Sequence, residues 1–448
     1  MRYRYQFVIL TFITHLWLIA ACFPCMNGYA QCTNANKLDS FFSAIAAANT
    51  GMGSIAISKN GNLQYCYSIG YKLLNNQRTD TADSKTKYRT GSITKMFTAV
   101  TIFQMIEEGK LSLQSTMDSY LPDIPNAHLI TIENLLRHQS GLHNFPTEKF
   151  GRSPKTHEEM LAIIKSRRAK SLPGLKFDYN NTNYLLLGFI IEKICGKLYE
   201  TVVNENIISK TGLTDIYCGH ETSINNNECY SYKFKKKWKQ SPVTDMSIPG
   251  ASGNIVATPV ALAGFMDALF SGKLISMASL TQMESIRDGG YGMGMVQFPY
   301  QAKAVFGHTG AIDEFVCITA HLLPDSLSIA YCSNGQLYPV QNIITRALDI
   351  YFGKAQLISK MKFDIIKTKH LRRYVGTYTN NQLPYQIIIR KKQNGLIAEG
   401  MGFASLPLEY VSKNKLRLEA ANIDMEFDAN RKGVNLCDGN YSYFLVKK

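Results

Sequence analysis

The stretch Tyr88 to Ile106, YRTGSITKMFTAVTIFQMI, decides how the rest of the chain reads. Tyr88 and Arg89 form a strand-like lead into a small turn at Thr90-Gly91. Ser92-Ile93-Thr94-Lys95 follows, and then Met96, Ala99, Val100, Phe103 and Ile106 recur at helical spacing. Residues three apart share a helix face, so Lys95 is predicted to lean over Ser92. Ser92 would open that helix, where unpaired N–H groups and the positive end of the dipole favour a developing oxyanion. A serine needs a base to become a nucleophile, and a lysine can be that base once burial lowers its pKa.

The string alone says little. S-x-x-K also occurs at Ser84/Lys87, Ser359/Lys362 and Ser412/Lys415. Context separates the four: only Ser92 opens a long apolar helix after a strand-like lead. Ser84/Lys87 sits in a polar loop, and the other two lie near short charged stretches.

The 448 residues, 45% of them hydrophobic, give ample core and suggest two domains. Residues 1–30 read as a secretory leader: Arg2 and Arg4, an apolar run from Phe7 to Phe23, then Gly28-Tyr29-Ala30. Cleavage after Ala30 is the favoured outcome. Lipoprotein processing at Cys22, after Leu18-Ile19-Ala20-Ala21, and an uncleaved membrane anchor are the alternatives. Each places the remaining chain outside the cytoplasm, in the periplasm or secreted.

The net charge is +15, and losing Arg2 and Arg4 with the leader lowers it only slightly. A basic exported protein suits contact with an anionic cell-envelope polymer or lipid headgroups. The densest cluster, Lys233 to Lys239 (KFKKKWK), interleaves aromatics with lysines. The export signal argues against nucleic acid there, and the alternation fits a half-exposed hairpin strand. Ten cysteines are present, but no C-x-x-C pair has zinc-like partners, so neither a metal nor a cofactor is expected. If Leu322 pairs with Leu327 across the turn Leu323-Pro324-Asp325-Ser326, then Cys317 faces Cys332. They would form a disulfide there or pack as two free thiols.

Helices are predicted at Leu38–Ala48, Ile132–His138, Thr156–Ser166, Tyr184–Cys195, Tyr199–Ser209, Thr258–Phe270 and Val340–Tyr351. A hairpin over Gly53–Gly70 turns at Asn60-Gly61. Strands are predicted at Gly292–Phe298, Ala304–His308, Phe315–Leu322 and Ser326–Cys332. Terminal helices and an antiparallel sheet around a helical block make an α+β fold. From about Phe363 short strands dominate, which gives a small all-β domain over 363–448.

Two more sites carry chemistry. Tyr179-Asn180-Asn181 lies in a loop running into a helix. Tyr179 can relay protons beside a serine if nearby cations hold down its pKa, and Asn181 can hydrogen-bond Lys95 and a substrate carbonyl. Ser252-Gly253-Asn254 competes with it, but reads more like a glycine-bearing turn before a strand. The last element is either Lys210-Thr211-Gly212 or His308-Thr309-Gly310. Lys210 ends a helix with Gly212 placed as its cap, whereas His308 lies among strands, where a substrate can pair with backbone and meet a hydroxyl or a positive ring.

Together these motifs resemble the serine β-lactamase and penicillin-binding protein superfamily, in its branch of class C β-lactamases, D-alanyl-D-alanine carboxypeptidases and esterases. Ser92-x-x-Lys95, Tyr179-x-Asn181 and His308-Thr309-Gly310 appear in that family's order. Leu135 to Leu142 (LLRHQSGL), Tyr184 to Gly188, Gly253 to Ala263 and Tyr291 to Gly294 (YGMG) resemble its connecting segments. The likeness runs from about Leu38 to Gly353, within a domain set at 36–353. Tyr374 to Tyr378 resembles the small β-barrels often appended to the family. The resemblance implies that Ser92 becomes acylated while Lys95 and Tyr179 share the acid–base work. It implies that Asn181 positions substrate, that backbone N–H groups of Ser92 and Ala311 hold the oxyanion, and that His308, Thr309 and Gly310 face the substrate and its carboxylate. It also implies small peptide, ester or β-lactam substrates. The histidine stands where β-lactamases have lysine, so β-lactams are expected to be slow.

Overall fold

The computed structural model describes residues 33–145, 153–338, 340–354 and 368–380, then 386–392, 395–399, 406–412, 414–418, 423–428, 430, 432–437 and 442–448. The leader at 1–30 with Cys22, and Ser359/Lys362, lie outside the described residues. No described helix is long and apolar enough to cross a membrane.

The first helix, α1 (Ala35–Ala47), leads into the hairpin of β1 (Gly51–Lys59) and β2 (Asn62–Ile69). Its turn residues Asn60 and Gly61 both take positive φ, 51° and 75°, which matches the twist of a two-residue hairpin. Next comes α2 (Thr94–Glu107), then α3 (Asn181–Cys195) and α4 (Pro259–Phe270). The main sheet is completed by β3 (Val296–Gln297), β4 (Val305–Ile312), β5 (Phe315–Leu322) and β6 (Leu327–Gln336), and α5 (Val340–Tyr351) ends the region. They form a six-stranded sheet in the order β3-β4-β5-β6-β1-β2. Every neighbouring pair is antiparallel.

Alternation along the strands decides what each face meets. On one face Ile55, Ile57, Ile318, Ile329 and Tyr331 pack with Leu38 and Phe42 of α1 and Ile343 and Leu348 of α5. On the other, Ala56, Cys317, Ala330 and Cys332 meet the helical block. At its centre, α2 is buried on every side from Thr94 to Met105, with Thr94, Lys95, Thr98, Thr101 and Gln104 buried alongside its apolar residues. Phe97 stacks on Phe265 of α4 with ring centroids 3.9 Å apart. Truncating either ring would cost about 3–5 kcal/mol.

Caps set several boundaries where expected. Thr258 caps α4 with Pro259 at its first position, and Gly196 ends α3 in the left-handed region. Other boundaries move. The strand predicted at Gly292–Phe298 shrinks to β3, because Gly294 (φ 87°) turns the chain beneath α2, where a Cβ would lie 2.5 Å from that of Ala99. The strand predicted to end at His308 continues to Ile312. The helix predicted to reach His138 stops at Leu136, and His138 itself sits at φ 57°. KFKKKWK divides into two strands, Tyr232–Phe234 and Trp238–Gln240, with its middle lysines exposed in the turn. Cys317 pairs in register with Cys332, as expected, and the two are free, buried thiols rather than a disulfide.

Eight strands from Gly376–Thr379 to Ser442–Lys447 close into a barrel, the last pairing with the first. Strands expected at 385–391, 396–399, 415–419, 425–428 and 441–446 correspond to five of these, and Gly376–Thr379, Leu406–Ser412 and Gly433–Cys437 are additional. Its interior holds apolar side chains such as Ile389, Leu418, Val434 and Leu445.

Candidate active site

Tyr88 and Arg89 pair with Val256 and Ala257, which anchors the turn that follows. Gly91, at φ 54°, reverses the chain, and Gly91–Ile93 makes a tight 3-10 turn that runs into α2. Ser92 therefore stands one short turn ahead of the α-helix rather than as its first residue. Gly310 of β4 packs directly against this turn: a Cβ there would fall 1.8 Å from the Thr90 carbonyl and 2.9 Å from the Ser92 nitrogen. A Cβ on Gly91 would lie 2.8 Å from the Ala311 nitrogen. Two glycines thus bring the Ser92 and Ala311 amides to one corner.

Lys95 is 0% exposed. Its Nζ lies 2.9 Å from Ser92 Oγ, 2.8 Å from Asn181 Oδ1 and 2.9 Å from the Ser252 carbonyl oxygen. The last two oxygens can only accept. Burial drives the Lys95 pKa well below its ordinary value, which favours the neutral amine. A neutral amine has two hydrogens and one lone pair. In that form the hydrogens can serve Asn181 and Ser252, which leaves the lone pair for the Ser92 hydroxyl.

Tyr179 precedes α3, whose N-cap is Asn180. The Asn180 amide N–H donates to His138 Nδ1 at 3.1 Å, and its side chain donates to the Leu142 carbonyl at 2.8 Å. The Asn181 N–H donates to Asn144 Oδ1 at 3.0 Å. This frame turns the Tyr179 hydroxyl onto Ser92 while 36% of the residue stays exposed at the mouth. Burial raises the Tyr179 pKa, and its bond to Ser92 offsets only part of that. Expected cationic depression is therefore absent, and Tyr179 is a neutral phenol.

His308, Thr309 and Gly310 lie along β4. Its pairing with β3 ends at Gly307, and among the described residues no strand pairs with its outer edge beyond that point. The edge is open to an extended substrate backbone. The positive ring expected at His308 is not there. Burial, then the positive charge of Lys95 whenever that amine is protonated, lower its pKa to about 3, so it is neutral at physiological pH. The Tyr291 hydroxyl lies 3.1 Å from its Nε2.

Lys210 is exposed at a helix end, Gly212 caps it at φ 75°, and Thr211 Oγ1 donates back to the Ile207 carbonyl at 2.7 Å, so this K-T-G is structural. Ser252, set aside as a motif, does belong to the site through its carbonyl. Asn144 and Tyr291 also emerge only in three dimensions. His138 is buried against the rings of Tyr179 (4.3 Å), Tyr291 (4.7 Å) and Tyr184 (5.1 Å). Burial holds its pKa well below the usual histidine value.

The Beta-lactamase family pattern matches residues 38–350, and the chain belongs to that family. A penicillin-binding protein of Bacillus subtilis strain 168 is 24% identical over 447 residues, 90% of this chain and 96% of that protein. The teichoic acid D-alanine hydrolase of Staphylococcus aureus is 31% identical over 160 residues, 36% of this chain and 38% of its own length. Among solved structures, D-amino acid amidase from Ochrobactrum anthropi SV3 superposes with a TM-score of 0.64 at 23% identity, covering 71% of this chain and 99% of that one. An octameric penicillin-binding protein homologue from Pyrococcus abyssi reaches the same TM-score of 0.64 at 24% identity and covers 92% of this chain and 99% of its own.

Proposed function

We propose that this chain is a serine hydrolase that forms an acyl-enzyme on Ser92, acting on small amides and esters of D-amino acids, including peptidoglycan-type peptides, with β-lactams as slow substrates. The observation that carries this reading is the buried Lys95 amine, whose Nζ lies 2.9 Å from Ser92 Oγ while two acceptors, Asn181 Oδ1 at 2.8 Å and the Ser252 carbonyl at 2.9 Å, hold it in place. Lys95 takes the Ser92 proton as Oγ bonds the substrate carbonyl carbon. The oxyanion forms between the N–H groups of Ser92 and Ala311. Tyr179, a protonated phenol, delivers a proton to the leaving nitrogen or oxygen as that bond breaks, and is reprotonated from Lys95. Water then releases the acyl group. The similarity to a teichoic acid D-alanine hydrolase and to a D-amino acid amidase supports this substrate range.

The leader-like residues 1–30 support export, and the lysine-bearing hairpin turn supports contact with an anionic envelope polymer. Intact-protein mass spectrometry with a fluorophosphonate tests the chemistry: one adduct on the peptide containing Ser92, absent in Ser92→Ala. An adduct that persists in Ser92→Ala places the nucleophile elsewhere. No adduct on a folded protein favours a silent binding protein.

A further inference from the structure

We propose that Tyr291 fixes the His308 ring as a hydrogen-bond acceptor without a free N–H, so that the site selects substrates whose leaving group bears no carboxylate. This rests on the acyl-enzyme reading above and narrows its substrate class.

The argument begins with the ring itself. His308 is 3% exposed in β4. Its Nδ1 meets the carbonyl oxygen of Thr309, which can only accept, so Nδ1 carries a hydrogen. In a neutral ring Nε2 then has only its lone pair, and the Tyr291 hydroxyl 3.1 Å away must donate to it. Both nitrogens are thereby occupied, and neither is left to donate to a substrate.

Tyr291 cannot easily move aside. It is buried and touches His138 (ring centroids 4.7 Å apart), Phe177 (5.9 Å) and Tyr179 (5.9 Å). The backbone after it is wedged on both sides. A Cβ on Gly292 would lie 2.2 Å from the Met283 carbonyl, and one on Gly294 would lie 2.5 Å from the Ala99 Cβ. The clamp is built into the fold rather than borrowed from a mobile side chain.

The His308 ring lies 6.4 Å from the Tyr179 ring, so a leaving group protonated by Tyr179 departs past His308. A carboxylate there would lose water and gain neither a charge nor an N–H from this ring. A carboxamide or a simple alkoxide carries no such penalty. β-Lactams bear a carboxylate beside the scissile amide and share the disadvantage of free-acid peptides.

The test compares an N-acyl-D-alanyl-D-alanine dipeptide with its C-terminal amide. Turnover of a nitrophenyl ester and the fluorophosphonate adduct are measured on the same samples. The wild type should favour the amide by about tenfold or more in kcat/KM, the scale of one lost charge-assisted hydrogen bond. Tyr291→Phe removes the hydroxyl that occupies the Nε2 lone pair, so that nitrogen can take up a proton opposite an incoming carboxylate, and the acid-to-amide ratio should move towards the acid by about threefold or more, whatever happens to absolute rates. Nitrogen-15 spectra of the wild type should show a protonated Nδ1 and an unprotonated, hydrogen-bonded Nε2 at His308. A wild type that prefers the acid, or a His308 ring protonated on Nε2, overturns the proposal while leaving Ser92 chemistry intact. So does an unchanged ratio in folded Tyr291→Phe. Loss of adduct and ester turnover alike sinks the acyl-enzyme reading, and this proposal with it.

Discussion

Lys95 and Lys415 each follow a serine by three residues, and the two regions treat them in opposite ways. At the Ser92 corner Lys95 is 0% exposed and burial lowers its pKa. In the barrel the Lys415 side chain stays 35% exposed, Asp424 lies 2.8 Å away, and that hydrogen bond raises its pKa. The corner also buries His138, Asn180, Asn183 and His308, whereas the barrel core is apolar. Burying polar groups costs stability unless each finds a partner. A fold bears that cost where the groups do chemistry, so the burial of the lysine, not the S-x-x-K spelling, marks the site.

The largest effect that could break this contrast comes from Ser92→Ala. Hydrolysis should fall by about three to six orders of magnitude, because the nucleophile and its base act as a unit. Ser412→Ala should change nothing measurable. Loss of activity at Ser412, or retention at Ser92, would erase the distinction. Lys95→Ala should slow fluorophosphonate labelling by about 10²–10⁴-fold, the usual worth of a positioned base. Lys210→Ala should leave labelling unchanged and shift stability by no more than about 0.5 kcal/mol, as exposed substitutions do. A labelling defect at Lys210 would reinstate its K-T-G as functional.

Much of the corner is legible in the sequence because it depends on local periodicity. Ser92 sits in the short turn that leads into an apolar helix, Lys95 lies in that helix's first turn, and Tyr179 stands immediately before an asparagine cap. The Ser252 contribution is a backbone carbonyl, which no residue type announces. The Tyr291 role depends on β3 and β4 bringing distant residues together, and short-range patterns cannot carry that. In the barrel, Pro407 interrupts Leu406–Ser412 and makes a genuine strand look broken, because proline cannot donate to a ladder. His308 was legible as a position, but its charge was not, since burial decides it.

Acid should sharpen the contrast. His308, at about 3, and His138 bind fewer protons in the folded chain than in the unfolded one, where histidine titrates near about 6.5. Their depressed values make stability rise with pH across the window from about 3 to about 6.5. That stability is fully present above the window and is lost as pH falls through it. Each pH unit of separation is worth about 1.4 kcal/mol. The urea midpoint of the catalytic region should therefore drop between pH 7 and pH 5, and His308→Gln should flatten that slope. An unchanged slope would mean that His308 is not buried as a neutral ring. Lys415 has the opposite sign: its raised pKa favours folding at neutral pH, and the effect fades only as pH rises above the ordinary lysine range.

The smallest expected effect on chemistry is removal of the barrel. Its first and last strands pair, so no strand edge needs cover from the catalytic region. Among the described residues its core cluster runs from Leu371 onward, and Ser92, Lys95, Tyr179, Asn181, Ser252, Tyr291 and His308 all precede it. A chain ending near Lys360 should stay soluble and label at Ser92 within about twofold of the full-length rate, the spread expected for distant, independent sites. The separate segment 368–448 should melt cooperatively, though only marginally stable at that size. A truncated protein that stays folded but loses labelling would show that the barrel reaches into the site. The contrast between a chemical region and a self-contained one would then be wrong at its boundary.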